Sequence, residues 1–153
     1  MNPSWKLDHV AHAVFDMAAG IALYREKLGF TLELEETVKE HGVLVSFLSL
    51  ADCTIELLSP LTSLSIDPSI GLLIGPAVGE AASDVGKFLA KRGEGLHHLC
   101  FRVPSLTEEI ERLAKSGMEF VNPIPRAGSR GTRVVFIRPR SSNGALIELC
   151  EST

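Results

Sequence analysis

Two histidines and two glutamates stand at matching places in the chain and could together bind a divalent metal ion. His9 and His98 each lie in an apolar segment that opens one half of the chain, and Glu56 and Glu148 each lie in an apolar segment near the end of a half. An unpaired carboxylate inside an apolar strand costs several kcal/mol, and a divalent cation would offset that cost directly. Two imidazoles with two carboxylates suit Zn, Co, Ni, Mn or Fe(II). The residue types therefore predict a metal site of four side chains.

Strand periodicity separates these two histidines from the other three. Side chains alternate between the two faces of a strand, and we expect the bulkier apolar face of each strand to carry the helices. This leaves His9 and His98 on the opposite face, while His12 and His97 point toward the helices and are expected to be structural. His41 directly precedes a glycine and is expected in a turn. A single strand histidine is more often a core or surface residue than a ligand, so the duplicated placement of both residue types favours the metal site.

Composition excludes several other classes of protein. The 153 residues carry a formal charge of -4 without a long basic run, so the sequence indicates no basic surface that could bind a nucleic acid. No stretch of 18 apolar residues is present to span a membrane, and the first residues lack the apolar region of a signal peptide. Cys53, Cys100 and Cys150 are an odd number of cysteines within apolar segments. They indicate reduced thiols that fill core volume in a cytoplasmic protein.

The elements that must position the four candidate ligands repeat once along the chain. Each half reads as a histidine-bearing strand, a helix ended by glycine, and three further strands of which the last carries the glutamate. The helices are predicted at 16–28, before Gly29, and at 105–116, before Gly117, where Ser105 opens a capping box. The three later strands are predicted at 30–38, 42–51 and 53–58 in the first half, and at 118–123, 133–138 and 145–150 in the second.

This repeat predicts an α+β fold in which two paired βαβββ modules form a curved mixed sheet that encloses the metal site. The first module covers residues 1–61, an insertion with a linker helix covers 62–92, and the second module covers 93–153. Within the insertion, 62–82 is apolar enough to be either a flap over a site or a structural insertion on the surface. The linker helix is predicted at 83–91, with Val85, Phe88 and Leu89 facing inward.

Six short motifs resemble the methylmalonyl-CoA epimerase family of the vicinal oxygen chelate superfamily. They cover most of the chain in the family's order, and Gly-Leu-His-His and Ile-Glu-Leu are the more specific among them. In sequence order the motifs are Leu7–Ala11, Glu40–Val43, Ile55–Leu61, Lys87–Leu89, Gly93–His98 and Gly144–Leu149.

The resemblance implies a metal-dependent isomerase and a role for each matching residue. His9, Glu56, His98 and Glu148 match the family's metal ligands, with Glu56 in place of a Gln found in some members. The cofactor would be a divalent ion such as Co, Zn, Ni or Mn. The reaction would interconvert the epimers of methylmalonyl-CoA by moving the proton at C2 through a metal-stabilised enolate. Removal and return of a proton on opposite faces require two acid–base groups.

Glu148 is the first candidate for an acid–base group, and Glu56 is the second. Some family members have another Glu on the third strand, at the position of Val45 in this chain. His41 or a metal-bound water are therefore alternatives for the second group.

The family resemblance also suggests substrate contacts and an assembly. Arg138-Pro139-Arg140 stands where the family often has His-Pro-Lys, and Arg138, Arg140 and Ser141 are assigned to binding the acyl-CoA substrate. Arginines in such a turn are otherwise common as solvated surface residues. A homodimer is expected by analogy with this scaffold.

Other functions on the same scaffold remain open at this point. A glyoxalase I-type lactoylglutathione lyase, acting on a glutathione hemithioacetal, or another metalloenzyme of the superfamily would use the same four ligands. A non-catalytic resistance-type protein that sequesters a small molecule usually lacks the full set. An extradiol dioxygenase is disfavoured because its site uses two histidines and one carboxylate.

Overall fold

The computed structural model describes residues 4–61, 65–66, 73–74 and 83–153. Within these residues, no helix is both long and apolar enough to cross a membrane. The predicted insertion 62–82 lies outside the described residues, apart from two short strands. The chain divides into two compact units. The terminal unit holds the described residues up to Val10 together with His98–Thr153, and the central unit holds the described residues from Ala11 to His97.

The described residues form an α+β fold in which the β-α-β order of the sequence repeat is present in both halves. The elements, in chain order, are β1 Lys6–Ala13, α1 Met17–Ala22, β2 Thr31–Val38, β3 Val43–Leu50, β4 Cys53–Pro60, β5 Ser65–Ile66, β6 Leu73–Ile74, α2 Asp84–Arg92, β7 Gly95–Arg102, α3 Leu106–Lys115, β8 Arg126–Ala127, β9 Thr132–Ile137 and β10 Ile147–Ser152. Strand β1 contributes residues to both units, so a compact unit is not the same as a sequence module. The division into modules 1–61, 62–92 and 93–153 stays an interpretation of the repeat.

In the central unit β2, β3 and β4 form an antiparallel meander, and a helix packs on each face of the sheet. Its strands follow the order β2-β3-β4-β1. One apolar cluster joins Phe47 and Leu58 of the sheet to Val85 and Leu89 of α2. These contacts confirm the inward face predicted for the linker helix. A second cluster on the other side of the sheet joins the strands to α1.

A bulge in β2 decides which of its side chains face which cluster. Leu32 pairs with Leu48, but the register shifts before Leu34, which pairs with Phe47. As a result Leu32 packs in the cluster beside α1 and Leu34 in the cluster beside α2. Simple alternation would have put both leucines on one face, because a bulge inserts one extra residue into the ladder.

The terminal unit is a mixed sheet in which β10 runs parallel to β7 and antiparallel to β9. Its strands follow the order β1-β7-β10-β9-β8. Helix α3 contributes Leu106 and Leu113 to an apolar cluster that includes Leu149 and the partly buried Phe101. Cys100 belongs instead to a smaller cluster that is separate from this helix. The prediction that helices cover the bulky apolar face is therefore confirmed for β7.

Helix boundaries agree with the sequence, whereas one strand does not. The side chains of Asp16 and Ser105 cap the two predicted helices by accepting from Ala19 N and Glu108 N, and the first helix continues past α1 as a π-helical turn, Leu23–Lys27. The strand predicted at 118–123 is wrong, because this segment forms only an isolated bridge at Phe120. Two prolines at 123 and 125 have no backbone N–H to donate to a neighbouring strand.

Candidate metal centre

Three of the four predicted ligands come together inside the terminal unit. The Nε2 atoms of His9 and His98 lie 3.4 Å apart, and His98 Nε2 lies 2.8 Å from Glu148 Oε2. The exposed fractions of the three residues are only 4%, 6% and 7%. Three polar side chains that converge at such low exposure form a site, since isolated buried polar groups are strongly disfavoured.

Strand register explains why these side chains meet. Glu148 of β10 stands opposite Cys100 of β7 in the parallel ladder, and Cys100 shares a face with His98 because the two are separated by one residue. The buried positions in β7 include His98 and Cys100, and the buried positions in β1 include His9. Adjacent strands thus present their buried faces to the same region, as the alternation in the sequence predicts for these two histidines.

The geometry of the histidine pair fits a divalent metal ion. Two nitrogens that each bind a tetrahedral ion at about 2.0–2.1 Å are about 3.4 Å apart, which matches the distance between the two Nε2 atoms. On binding, a cation would replace the direct contact between His98 and Glu148, since both side chains bind metal in their deprotonated forms. Two imidazoles and a carboxylate are also a donor set that Zn, Co, Ni and Mn accept.

Asp8 is within hydrogen-bond distance of Nδ1, the ring nitrogen of His9 that does not face His98. Its Oδ1 lies 2.8 Å from His9 Nδ1, and its side chain is only 6% exposed. Burial by itself would raise the pKa of this carboxyl. Hydrogen bonds from His9 and Arg102 and the charge of Arg130 outweigh that effect, so that the pKa of Asp8 falls far below its usual range. Asp8 is therefore an anion on the side of His9 that faces away from His98.

Two arginines complete the surroundings of Asp8. The Arg102 guanidinium donates to Asp8 Oδ2 from Nε at 2.7 Å and from a terminal nitrogen at 2.6 Å. Arg130 donates to Asp8 Oδ1. The bond to Asp8 also raises the pKa of Arg102. Sequence reasoning missed all three residues, although the position of Asp8 directly before a predicted ligand was a usable signal.

A tight loop carries Arg130 to this position. Arg130 has a φ of +56°, a left-handed conformation that few residues other than glycine adopt. Gly128 lies against the next strand so closely that a Cβ there would stand 2.6 Å from Val134 Cγ1. The Gly-Ser-Arg-Gly sequence at 128–131 permits both features, and its glycine spacing is a signal that sequence analysis did not use.

Apolar groups line the site beside Glu148. Phe136 stands opposite Glu148 in the β9–β10 ladder, and its ring packs edge-on against His98 with centroids 5.5 Å apart. The Arg126 guanidinium lies 5.4 Å from the centre of the Phe136 ring. An aromatic wall of this kind lowers the local dielectric and strengthens charge interactions within the site.

Cys100 is closer to the site than its predicted role in packing implied. Its sulfur and one ligand atom each from His9 and Glu148 lie within 4.8 Å of one another. A hydrogen bond with Cys150, burial and the nearby Glu148 carboxylate all raise the pKa of the Cys100 thiol. Cys100 and Cys150 belong to a buried apolar cluster, in agreement with their predicted packing role. The same prediction is wrong for Cys53, which is exposed.

Glu56, the fourth predicted ligand, belongs to the central unit. It is 6% exposed and stands opposite Phe47 in the β3–β4 ladder. Its assignment as a ligand stays a prediction from the sequence repeat. His12 and His97 face helical segments, as predicted: His12 hydrogen-bonds Tyr24 at 3.0 Å, and His97 packs against Phe88 of α2.

A second carboxylate of the central unit lies next to Val45. Glu36 is the partner of Val45 in the β2–β3 ladder. Both residues line a cleft of about 320 Å³ together with Met17 and Ser46. The bulge in β2 determines which residues of this strand share a face with Val45, so the sequence pattern did not single out Glu36.

The three residues assigned to substrate binding are engaged in local contacts. Arg138 donates to the carbonyls of Phe120 and Val121, Arg140 pairs with Glu119, and Ser141 accepts from the backbone of Glu119 at 3.0 Å. These contacts fasten 119–121 to the turn Pro139–Ser141. The proposed role of Arg138, Arg140 and Ser141 in binding acyl-CoA stays a prediction.

Comparison with known proteins gives one family model and several full-length relatives. The model described as the Glyoxalase/Bleomycin resistance protein/Dioxygenase superfamily matches residues 8–136. An uncharacterized protein of Bacillus subtilis is 35% identical over 95% of this chain and 91% of its own length. An ethylmalonyl-CoA/methylmalonyl-CoA epimerase of Cereibacter sphaeroides is 34% identical over 94% of this chain and 96% of its own.

Solved structures of similar sequence have the same fold. The methylmalonyl-CoA epimerase of Mycobacterium tuberculosis has a TM-score of 0.79 and 34% identity, over 96% of this chain and 87% of that one. A methylmalonyl-CoA epimerase in complex with methylmalonyl-CoA and NH4+ has a TM-score of 0.78 and 30% identity, over 97% and 94% of the two chains.

Proposed function

The chain belongs to the methylmalonyl-CoA epimerase family of the Glyoxalase/Bleomycin resistance protein/Dioxygenase superfamily and is an isomerase. We propose that it epimerises methylmalonyl-CoA at C2 with a bound divalent metal ion. The observation that carries the proposal is the convergence of His9, His98 and Glu148 inside the terminal unit. The relatives named as epimerases cover nearly the whole chain, which supports an acyl-CoA substrate.

The proposed metal site consists of His9, His98, Glu148 and Glu56. The first three have their ligand atoms close together, and the buried position of Glu56 at the equivalent point of the repeat supports it as the fourth. Co, Zn, Ni or Mn would satisfy this donor set. Such an ion would supply Lewis-acid polarisation of the thioester carbonyl, which lowers the cost of removing the C2 proton.

Glu148 is the proposed base for the first proton transfer. Glu148 is only 7% exposed, it stands opposite Phe136 in the β9–β10 ladder, and one of its carboxylate oxygens contacts His98. Loss of the C2 proton forms an enolate, to which a proton must return on the opposite face to complete the epimerisation. We assign the return of that proton to Glu56, and the binding of the acyl-CoA to Arg138, Arg140 and Ser141.

The assembly and location are part of the same proposal. We propose a homodimer, by analogy with the scaffold, and a cytoplasmic location. The three cysteines are free thiols, and unpaired cysteines are usual in a reducing compartment.

Deuterium incorporation tests the proposed reaction. The protein is loaded with Co and incubated with (2R)- or (2S)-methylmalonyl-CoA in deuterated water, and the products are analysed by NMR and by separation of the epimers. We expect deuterium at C2 together with appearance of the other epimer. Absence of both would refute the proposed substrate, and turnover of a glutathione hemithioacetal in a parallel assay would favour the lyase.

Metal analysis tests the site independently of the substrate. We expect the purified protein to bind one divalent ion and the His9→Ala variant to bind it more than about 100-fold more weakly. The reason is that loss of a residue that only hydrogen-bonds a metal ligand already lowers metal affinity by about 10- to 100-fold. His12→Gln is the matched control because His12 contacts Tyr24 instead. Equal affinity in wild type and His9→Ala would rule out this site.

A further inference from the structure

We propose that Asp8 is a positioning residue for His9: its carboxylate, held by Arg102 and Arg130, keeps the proton on His9 Nδ1 and so presents Nε2 as the metal-binding atom. This inference deepens the proposed function and rests on its metal site. Asp8 would touch neither metal nor substrate. Its effect would pass through the tautomer and orientation of one imidazole ring.

Hydrogen-bond chemistry sets the tautomer of His9. An ionised carboxylate can only accept hydrogen bonds, so the 2.8 Å contact between Asp8 Oδ1 and His9 Nδ1 requires the proton on Nδ1. A neutral imidazole with a proton on Nδ1 has its lone pair on Nε2. That atom is the one that lies 3.4 Å from His98 Nε2. Metal-binding histidines are commonly oriented by a carboxylate in this way.

Arg130 would favour the opposite tautomer if Asp8 were not there. Its guanidinium lies 3.3 Å from His9 Nδ1 as well as beside Asp8. A guanidinium can only donate, so a direct bond to Nδ1 would need a lone pair on that atom and would move the ring proton to Nε2. The acceptor Asp8, at the shorter distance, therefore decides which of the two tautomers is stable.

The surroundings of Asp8 hold the carboxylate in one orientation. Arg102 contacts Oδ2 through two nitrogens, and Arg130 contacts Oδ1. Arg102 is in turn bonded to Ser152 of β10, and the Arg130 loop adopts its left-handed conformation at the residue that makes the contact. Strained backbone at a residue with such a contact is typical of groups placed for function.

The test compares Asp8→Asn with wild type by NMR of the histidine ring nitrogens and by metal competition with a chromogenic chelator. In metal-free wild type we expect His9 to carry its proton on Nδ1. In Asp8→Asn the side-chain amide can donate to Nδ1, and we expect the proton on Nε2 and a metal affinity lower by about 10- to 100-fold. Asp84→Asn, at an exposed pair with Lys87, is the control and should leave both unchanged.

A second variant keeps the test valid if Asp8→Asn does not fold. Asp8→Asn removes the countercharge of two guanidinium groups, whereas the double variant Asp8→Asn/Arg130→Gln removes one of those positive charges as well. We expect the double variant to fold and to show the same change of tautomer, and Arg130→Gln alone to retain the proton on Nδ1.

The outcomes separate this inference from the proposed function. A His9 proton that remains on Nδ1 in both Asp8 variants, with metal affinity within twofold of wild type, would overturn the positioning role. The NMR measurement uses metal-free protein and no substrate. A change of tautomer and affinity in a protein that fails to epimerise methylmalonyl-CoA would therefore support the role of Asp8 while refuting the substrate.

Discussion

The two units bury different kinds of side chain on their sheets. The terminal unit places His9, His98 and Glu148 together at exposures below 10%, with Asp8 bonded to the first of them. In the central unit the corresponding part of the sheet packs apolar side chains such as Phe47 and Leu58 against α2. The sequence repeat thus describes the backbone plan of both halves, whereas the contacts that join His98 to His9 and to Glu148 lie within the terminal unit.

This difference indicates that, within a duplicated fold, one set of side chains can stabilise the folded state while another set supplies the functional groups. A buried polar cluster is satisfied by mutual hydrogen bonds and ion pairs, and it contributes little net stability because its groups must first lose water. Apolar clusters contribute in proportion to the surface they bury. Substitutions in the terminal cluster should therefore alter activity and metal binding, and substitutions in the central core should alter the free energy of unfolding.

The largest expected effect is on catalysis, from the terminal unit. Glu148→Gln removes the proposed base, and we expect kcat for epimerisation to fall by about 10²- to 10⁴-fold, as usual for loss of a general base. Glu151→Gln is the control, since Glu151 lies on the same strand in a partly exposed pair with Arg133. A decrease of less than tenfold for Glu148→Gln would place the base elsewhere.

Next in size is a stability effect in the central unit. Leu57 is fully buried beside Val14, Ile21 and Leu48, and Leu57→Ala should lower the free energy of unfolding by about 2–5 kcal/mol. Urea denaturation measures this. Leu50→Ala, at a position that is 45% exposed, should change it by about 0.5 kcal/mol or less. A decrease of less than about 1 kcal/mol for Leu57→Ala would contradict the expected contribution of this apolar cluster to stability.

A smaller effect is expected where backbone packing and the polar cluster meet. A Cβ at position 128 would stand 2.6 Å from Val134, so Gly128→Ala should destabilise the protein by about 1–3 kcal/mol and also weaken metal binding by displacing the Arg130 loop. Gly95→Ala, where a Cβ would meet nothing within 4 Å, is the control. Unchanged metal affinity in Gly128→Ala would show that the loop is not linked to the site.

The smallest effect is a change in alkaline stability in the central unit. Burial raises the pKa of Tyr24, so the folded protein favours the neutral phenol. That contribution to stability is complete below the unfolded value of about 10 and is lost as the pH rises above it. Tyr24→Phe should therefore show a flatter decline of the urea midpoint between pH 9 and 11 than wild type. Parallel curves would mean that Tyr24 does not titrate differently in the two states.

Local signals in the sequence predicted most of the secondary structure. The caps at Asp16 and Ser105 are confirmed because each depends on a side chain and a backbone N–H only three residues away. The incorrect strand prediction at 118–123 has an equally local cause, because Pro123 and Pro125 have no backbone N–H to donate to a neighbouring strand. The bulge between Leu32 and Leu34 was not predictable, because a register shift is decided by the partner strand.

For the site, alternation along strands was sufficient to select His9 and His98 from five histidines, since the direction of a side chain follows from its place in the strand. The sequence by itself also determined the repeated β-α-β plan, which needs only local periodicity and end signals. Only the tertiary structure decided that Asp8 would meet Arg102 and Arg130, 94 and 122 residues away. These contacts depend on the order of the strands and on the left-handed conformation of Arg130. Neither can be predicted from the residues that are neighbours in sequence.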